Sequence, residues 1–218
     1  MNAKGKRGLL TGVILIFLFA LWTALVMTFD VQPLGVNGTD IGFAAINTAF
    51  HSLTGVNMTL YTITDWLGLV PVFVCLVFGG MGFCQLVKRK SLLRVDFDII
   101  ILGVYYVIVI MCYLIFEMIP INYRPILING FMEASYPSST TLLVLGVMPT
   151  LSYQARVRFK NTAIKRMIIL FNVIFTLFMV VGRLLSGVHW VTDIMGSVLF
   201  SVGLFMVYKG IVELRSGE

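Results

Sequence analysis

The sequence predicts an all-α fold, a bundle of six transmembrane helices with a surface helix in the first outer loop. The chain of 218 residues is 59% hydrophobic and only 12% charged, which is far more apolar than an ordinary soluble domain. Its apolar residues gather into six stretches, and each should be a helix because lipid offers the backbone no hydrogen-bond partners. The stretches cover residues 8–29, 67–87, 97–119, 138–153, 164–181 and 190–208.

Most of these stretches meet the requirement of about 20 residues for a helix that crosses about 30 Å of hydrocarbon. The fourth is the shortest. The first follows Lys4, Lys6 and Arg7, as a signal peptide would, but it is longer than a signal's apolar segment and no small-residue cleavage site follows it, which favours an uncleaved span. A chain of this length has room for one compact bundle, so residues 1–218 are predicted to form a single domain.

The basic residues indicate which side the loops face. In a six-span topology, 14 of the 16 Lys and Arg residues lie on one face, and the positive-inside rule makes that face cytoplasmic, with both chain ends inside a multi-pass cell-membrane protein. Topology and attraction to anionic lipid explain these charges better than nucleic acid does. The 14 residues are Lys4, Lys6, Arg7, Lys88, Arg89, Lys90, Arg94, Arg156, Arg158, Lys160, Lys165, Arg166, Lys209 and Arg215.

Two arginines, Arg124 and Arg183, remain for the outer face. Polar residues accompany both: the stretch EASYPSSTT follows Arg124, and His189 and Asp193 follow Arg183. Either arginine alone would be consistent with an interface anchor that extends to the headgroups. Two arginines on this face, each followed by polar residues, favour an outward-facing anion site.

His189 and Asp193 are four residues apart. If the last helix begins near His189, they share one face, with the carboxylate a turn deeper in the membrane. Such a carboxylate would hold one imidazole nitrogen and leave the other free as a base or nucleophile. A packed histidine is the commoner explanation for an isolated pair of this kind, but an Asp at the start of a membrane span is costly and is a functional candidate.

Hydroxyl residues mark the start of the fourth stretch. Pro137 is predicted to lie in the first helical turn, where Ser138, Ser139 and Thr140 would offer hydroxyls and free backbone N–H groups to a phosphate. The alternative is an ordinary Ser/Thr N-cap. The neighbouring arginines favour the phosphate site, because a guanidinium presents a planar fork that matches phosphate oxygens.

Together these residues resemble the type-2 phosphatidic acid phosphatase superfamily, which shares its fold with glucose-6-phosphatase and the vanadium haloperoxidases. The three motifs of that family are K-x6-R-P, P-S-G-H and S-R-x5-H-x3-D, and here they correspond to EMIPINYRP, PSST and GRLLSGVHWVTD. The matching positions are Arg124 and Pro125, then Pro137 and Ser138, then Arg183, His189 and Asp193.

The resemblance implies a lipid phosphatase or phosphotransferase that works at the outer leaflet without a metal or other cofactor. It makes His189 the nucleophile of a phosphohistidine intermediate and Asp193 its orienting partner. Arg124, Arg183 and the region of Ser138 and Ser139 would then hold the phosphoryl oxygens of a phosphorylated lipid. No oligomeric state follows from these residues.

Three positions depart from the family motifs. Glu117 replaces the first-motif lysine, Thr140 replaces the second-motif histidine that usually protonates the leaving group, and Gly182 replaces the leading serine of the third motif. Two alternatives therefore stay open beside an active phosphatase. A pseudoenzyme would bind phosphorylated lipid without turnover, whereas a vanadate-dependent peroxidase is disfavoured because the known members of that branch are soluble.

The missing histidine also bears on the substrate. Glu117 or Glu133 would serve as the acid only if burial raised its pKa. Without a good acid, a diphosphate is favoured over a monophosphate, because its leaving group is a phosphate monoester rather than an alkoxide. Undecaprenyl diphosphate is the leading candidate.

The first outer connection, about residues 30–66, is long enough for structure of its own. The stretch IGFAAINTAFHSLTG predicts a helix at the membrane surface. One side of this helix would carry Ile41, Ala44, Ala45, Thr48 and Ala49.

Overall fold

A computed structural model describes residues 3–215, and this part of the chain is mainly helical, with its longest connections at residues 29–43 and 119–138. The predicted all-α class is therefore confirmed. The chain ends, residues 1–2 and 216–218, lie outside the described residues, so their predicted cytoplasmic location stays a prediction. The helices are α1 (Ala3–Thr28), α2 (Ala44–Thr54), α3 (Met58–Leu67), α4 (Leu69–Arg89), α5 (Phe97–Met118), α6 (Ser139–Arg158), α7 (Thr162–Leu185) and α8 (Val191–Arg215).

Within residues 3–215, five segments are long and apolar enough to cross a membrane: α1, α3 with α4, α5, α7 and α8. The sixth predicted span corresponds to α6, a helix of 20 residues that does not reach the same apolarity. Its buried residues include Thr150 and Gln154, and it packs on α4, α5, α7 and α8. A helix enclosed by other helices can carry polar side chains because they find partners there. That α6 also crosses the membrane stays a prediction.

Two local predictions at the ends of α6 and α7 are wrong. Helix α7 continues to Leu185, so Arg183 lies in its last turn and not in a separate turn. Pro137 precedes α6 instead of lying in its first turn. Helix α8 begins at Val191, within one residue of the predicted start, and His189 lies just before it. The reversal of direction between α7 and α8 occurs at Gly187, whose φ of +68° favours glycine and whose Cβ would lie 1.8 Å from the Gly55 carbonyl oxygen.

A helix does form in the first outer connection. Asn47 of this helix, α2, is buried, with 1% of its surface exposed. Its side-chain amide donates hydrogen bonds to the Gly42 carbonyl (2.8 Å) and to Thr192 Oγ1 at the start of α8 (3.0 Å). On the side predicted to be apolar, Ala44 is buried but Ala45 and Ala49 are exposed. Helix α2 therefore supports the start of α8, and its position at a membrane surface stays a prediction.

Glycines allow α1 and α8 to pack closely. A Cβ on Gly12 would lie 2.8 Å from the Gly203 carbonyl oxygen, and one on Gly8 would lie 3.2 Å from Gly210 Cα. Small residues at such positions let two helix backbones approach in a membrane, where van der Waals packing and not the hydrophobic effect holds helices together. This contact fixes α8, which carries Asp193.

We predict that Gly203→Leu destabilises the fold, because the new side chain has to displace Leu15, Ile16 or the backbone of Gly12, all within 3.2 Å of a Cβ at this position. Overpacking of this kind costs about 1–3 kcal/mol. The measurement is Tm in detergent. Gly79→Leu is the matched control, since it makes the same exchange within a helix, and a Cβ at Gly79 would meet no atom of residues 3–215 within 4 Å. An equal Tm for the two variants would contradict the close α1–α8 packing.

Candidate active site

His189 lies in the loop between α7 and α8 with its side chain 1% exposed. Its Nδ1 is 3.1 Å from the Ser135 carbonyl oxygen and 3.6 Å from Asp193 Oδ2. Because a carbonyl oxygen only accepts, Nδ1 carries the proton and the Nε2 lone pair is free. Nε2 is buried and has no hydrogen-bond partner among residues 3–215. The ring is therefore held in the tautomer that a nucleophile requires.

Asp193 supports this arrangement less directly than predicted. Its distance of 3.6 Å from the imidazole exceeds hydrogen-bond length, and Ser135 stands between them: the Ser135 hydroxyl donates to Asp193 Oδ2 and lies 3.3 Å from His189 Nδ1. Oδ2 also accepts a hydrogen bond from the Trp190 backbone N–H at 2.8 Å. The carboxylate, fully buried in the first turn of α8, thus fixes the residues on both sides of the imidazole.

Ser135 was missed by sequence reasoning, which singled out the later hydroxyls of the same stretch. Its main contribution is a backbone carbonyl, and a backbone atom leaves no residue-type signal. A backbone hydrogen bond of 2.8 Å from its N–H to the Asn122 carbonyl, and pairing of Tyr123 with Ala134, hold it in place. The loop after α5 therefore folds back on itself and presents both Ser135 and Arg124.

Both predicted arginines are buried, Arg124 at 5% and Arg183 at 1% exposure. They come together over Tyr61, a residue of α3, with their Cζ atoms 5.7 Å and 4.9 Å from the centre of its ring. Each has an acidic neighbour as well: Arg124 Nε is 3.2 Å from Glu133 Oε2, and Arg183 Nη1 is 3.5 Å from Asp65 Oδ1. The aromatic face and these carboxylates reduce the repulsion between the two like charges.

Several buried donors of this cluster have no partner. Arg124 Nη1 and Arg183 Nε make no hydrogen bond with any residue of the described chain. Buried polar groups are usually hydrogen-bonded, so these two unpaired guanidinium donors and the unpaired imidazole nitrogen of His189 call for an explanation. An anion with several acceptor oxygens and an electrophilic centre would explain them. Its oxygens would accept hydrogen bonds from the guanidinium groups, and its centre would meet the Nε2 lone pair.

The electrostatics keep the imidazole neutral. Burial, followed by the positive charges of Arg124 and Arg183, lowers the pKa of His189 well below its usual range, although its hydrogen bond to the Ser135 carbonyl opposes this. A neutral imidazole is the nucleophilic form. A bound anion would offset the two guanidinium charges and raise the pKa again.

The three predicted hydroxyl residues differ in their surroundings. Ser138 is the N-cap of α6, but its hydroxyl donates to Thr141 Oγ1 at 3.0 Å and its N–H to the Asp193 carbonyl at 3.3 Å, so both groups serve the scaffold. Ser139 is buried, whereas Thr140 is partly exposed. Both belong to the first turn of α6, whose backbone N–H groups have no partner within the helix. Ser139 and Thr140 are thus better placed than Ser138 to meet a ligand.

Glu117, which replaces the lysine of the first family motif, is not the carboxylate that pairs with an arginine of the site. Glu117 is exposed in the last turn of α5, and the carboxylate that pairs with Arg124 is that of Glu133. Glu133 comes from the loop after α5, where the Arg124 N–H also donates to the Glu133 carbonyl at 3.2 Å. The departure of the first motif is therefore compatible with a site that binds an anion.

The fold and this site define a helical membrane protein with a buried histidine and two buried arginines at one end of the bundle. The chain belongs to the PAP2 superfamily, whose sequence profile matches residues 72–216. The resemblance drawn from the motifs is thereby confirmed.

Among solved structures, the chain is similar to the crystal structure of the first transmembrane PAP2 type phosphatidylglycerolphosphate phosphatase from Bacillus subtilis. The TM-score is 0.63 with 17% sequence identity, over 94% of this chain and 96% of that one. At this identity the similarity shows a shared fold. No curated protein sequence matches the chain.

We predict that His189 stays neutral at pH 6 in the free protein, whereas a histidine in an unfolded chain titrates near 6.5. Because the folded-state pKa is lowered, the stability that depends on neutral His189 is present above about pH 6.5 and is lost as the pH falls below it. Nitrogen NMR of ring-labelled histidine measures this. His51→Gln removes the other histidine of the chain, so that one signal remains.

The expected spectrum is that of a neutral ring protonated on Nδ1, with a pKa that rises when phosphate or vanadate is added. Titration near pH 6.5, or a ring protonated on Nε2, would contradict the electrostatics described for the site.

Proposed function

We propose that the chain is a lipid phosphatase or phosphotransferase that acts on a lipid diphosphate through a phosphohistidine at His189. The proposal is carried by one observation: among the described residues, the buried His189 Nε2 has no hydrogen-bond partner, and neither have N–H donors of the two buried arginines. The family of the chain supports phosphoryl transfer, and its apolar helices support a lipid substrate.

In the first step the Nε2 lone pair of His189 attacks the terminal phosphorus. A P–N bond forms while the bond to the leaving oxygen breaks, and the guanidinium groups of Arg124 and Arg183 offset the charge on the phosphoryl oxygens. The ring becomes positive as it reacts. The Ser135 carbonyl stabilises that charge through the Nδ1 proton, and Asp193 adds a negative charge 3.6 Å from Nδ1.

In the second step an oxygen nucleophile attacks the phosphohistidine and returns the electron pair to Nε2. Water as the nucleophile gives a phosphatase, and an alcohol gives a phosphotransferase. Backbone N–H groups at the start of α6, at Ser139 and Thr140, hold the same phosphoryl oxygens through both steps.

The side chain at position 140 favours a diphosphate. Thr140 lines a cavity of about 420 Å³ between the start of α4, the second half of α5 and the start of α6. Its apolar walls include Leu69, Val72, Ile110 and Leu143. A threonine hydroxyl is a poor proton donor, so an alkoxide leaving group, whose conjugate acid has a pKa approaching 15.7, would depart slowly. A phosphate monoester has a second pKa of about 6 and leaves at neutral pH without help. A prenyl diphosphate such as undecaprenyl diphosphate also suits the apolar walls.

The site is proposed to face the outer leaflet. His189 and Asp193 lie at the start of α8, and the two basic residues of that end, Arg124 and Arg183, belong to the site. The other ends of the helices carry most of the remaining positive charge, which favours the cytoplasmic side for them. With α6 as a sixth span, residues 1–218 form one membrane domain in this proposal.

We predict that kcat/KM is larger for a lipid diphosphate than for the monophosphate of the same lipid, by about tenfold or more, because general acid catalysis typically contributes 10²–10⁴-fold to a reaction that needs it. Thr140→His should raise the rate on the monophosphate more than on the diphosphate. Thr140→Ser is the matched control, since it keeps a hydroxyl at the same position. Phosphate release from detergent-solubilised lipids measures both rates.

Equal values of kcat/KM, or a preference for the monophosphate, would contradict the choice of substrate. Binding of both lipids without turnover would favour a pseudoenzyme, the alternative that the threonine at position 140 supports.

A further inference from the structure

We infer that Asp65 is the general base that activates the water for hydrolysis of the phosphohistidine. The inference rests on the proposed function and assigns its second step. Asp65 lies on α3, one turn after Tyr61, outside all three family motifs and outside the matched residues 72–216. Its carboxylate is 55% exposed, and Oδ1 is 3.5 Å from Arg183 Nη1.

Asp65 lies near Thr140, the residue that replaces the histidine of the second family motif. Asp65 and Thr140 line the same cavity of about 420 Å³, and Tyr113 lies in its wall as well. Gly68, at the junction of α3 and α4, brings them together: a Cβ there would lie 2.8 Å from the Asp65 carbonyl oxygen and 3.4 Å from Thr140 Cγ2. The Asp65 backbone and the Thr140 side chain thus meet at Gly68, and both residues line the cavity at the position where the family has its histidine.

The pairing of Asp65 with Arg183 decides which proton transfer it performs. A carboxylate beside a guanidinium is ionised and accepts hydrogen bonds only, so it has no proton for a leaving group but can take one from water. A diphosphate needs little acid in the first step, whereas attack by water in the second step releases a proton that has to be taken up. An ionised carboxylate meets both requirements.

Hydrolysis proceeds by attack of water on the phosphohistidine. The water oxygen forms a bond to phosphorus, the P–N bond breaks, and its electron pair returns to His189 Nε2. One water proton passes to Asp65, and the other stays on the inorganic phosphate that forms. Because the Asp65 side chain is half exposed, it then loses the proton to solvent and is ready for the next cycle.

Three other acidic residues at this end are less suitable. Asp193 is fully buried, and its Oδ2 accepts hydrogen bonds from Ser135 and Trp190. Glu133 pairs with Arg124 and does not line the cavity beside Thr140. Glu117 is exposed and outside that cavity.

The test is Asp65→Asn, examined by rapid quenching with a lipid diphosphate labelled in its terminal phosphate. Loss of a general base should slow hydrolysis of the phosphoenzyme by about 100-fold. Formation of the phosphoenzyme should change far less, so the variant should show a burst of lipid monophosphate equal to the enzyme concentration and retain label that is stable to alkali. Asp65→Glu should recover part of the rate.

Two further variants make the test specific. Glu117→Gln removes a carboxylate from the same end of the bundle and should leave hydrolysis of the phosphoenzyme unchanged. Asp65→Ala should be rescued by added formate, which supplies a small carboxylate to the empty position. Tm of each variant reports whether it is folded.

Two results would overturn the assignment. If Asp65 only positions Arg183, Asp65→Asn will raise KM and slow formation of the phosphoenzyme, no label will accumulate, and formate will not rescue. If wild-type protein turns over without any phosphoenzyme, the proposed function itself fails, and Asp65 has no such step to catalyse. The wild-type label thus separates the two failures.

Discussion

The buried carboxylate of Asp193 is the constraint on which the rest of the site depends. A buried carboxylate without access to water needs hydrogen bonds from the protein, and here Oδ2 accepts them from the Ser135 hydroxyl and the Trp190 N–H, while Oδ1 has no partner among residues 3–215. These bonds join the loop after α5, the loop after α7 and the first turn of α8. His189 contacts Ser135 and directly precedes Trp190. The hydrogen bonds that stabilise the buried carboxylate therefore also fix the imidazole that we propose as nucleophile.

Helix α8 carries this constraint to the rest of the bundle. Ser197 Oγ donates to the Ser138 carbonyl at 2.9 Å, and Ser201 Oγ donates to the Leu142 carbonyl at 3.0 Å, so α8 holds the first turns of α6. On its other side the glycines of α1 bring the two backbones together. The start of α6, which offers free N–H groups, is thereby held beside the histidine, and the two arginines are added from α7 and from the loop after α5.

The sequence predicted those parts of the site that depend on residue type and spacing. Arg183, His189 and Asp193 recur at the intervals of a family motif, and the helical class follows from apolar stretches that lipid requires to be helices. What it missed depends on contacts between distant segments. Tyr61 and Asp65 reach the arginines only because Gly182 lets α3 pack on α7, where a Cβ would lie 2.8 Å from Thr64 Cγ2. The Ser135 carbonyl is a backbone atom, and α6 was a weak prediction because an enclosed helix does not need an apolar surface.

The central claim is that His189 carries the phosphoryl group, and identification of the labelled residue tests it most directly. Protein quenched in alkali during turnover of a terminally labelled lipid diphosphate should contain phosphohistidine, and mass spectrometry should locate it at His189. His189→Gln should show neither label nor turnover while it still binds the lipid, since Arg124 and Arg183 remain, whereas His51→Gln should label normally. Turnover that persists in His189→Gln, or label on another residue, would contradict the account.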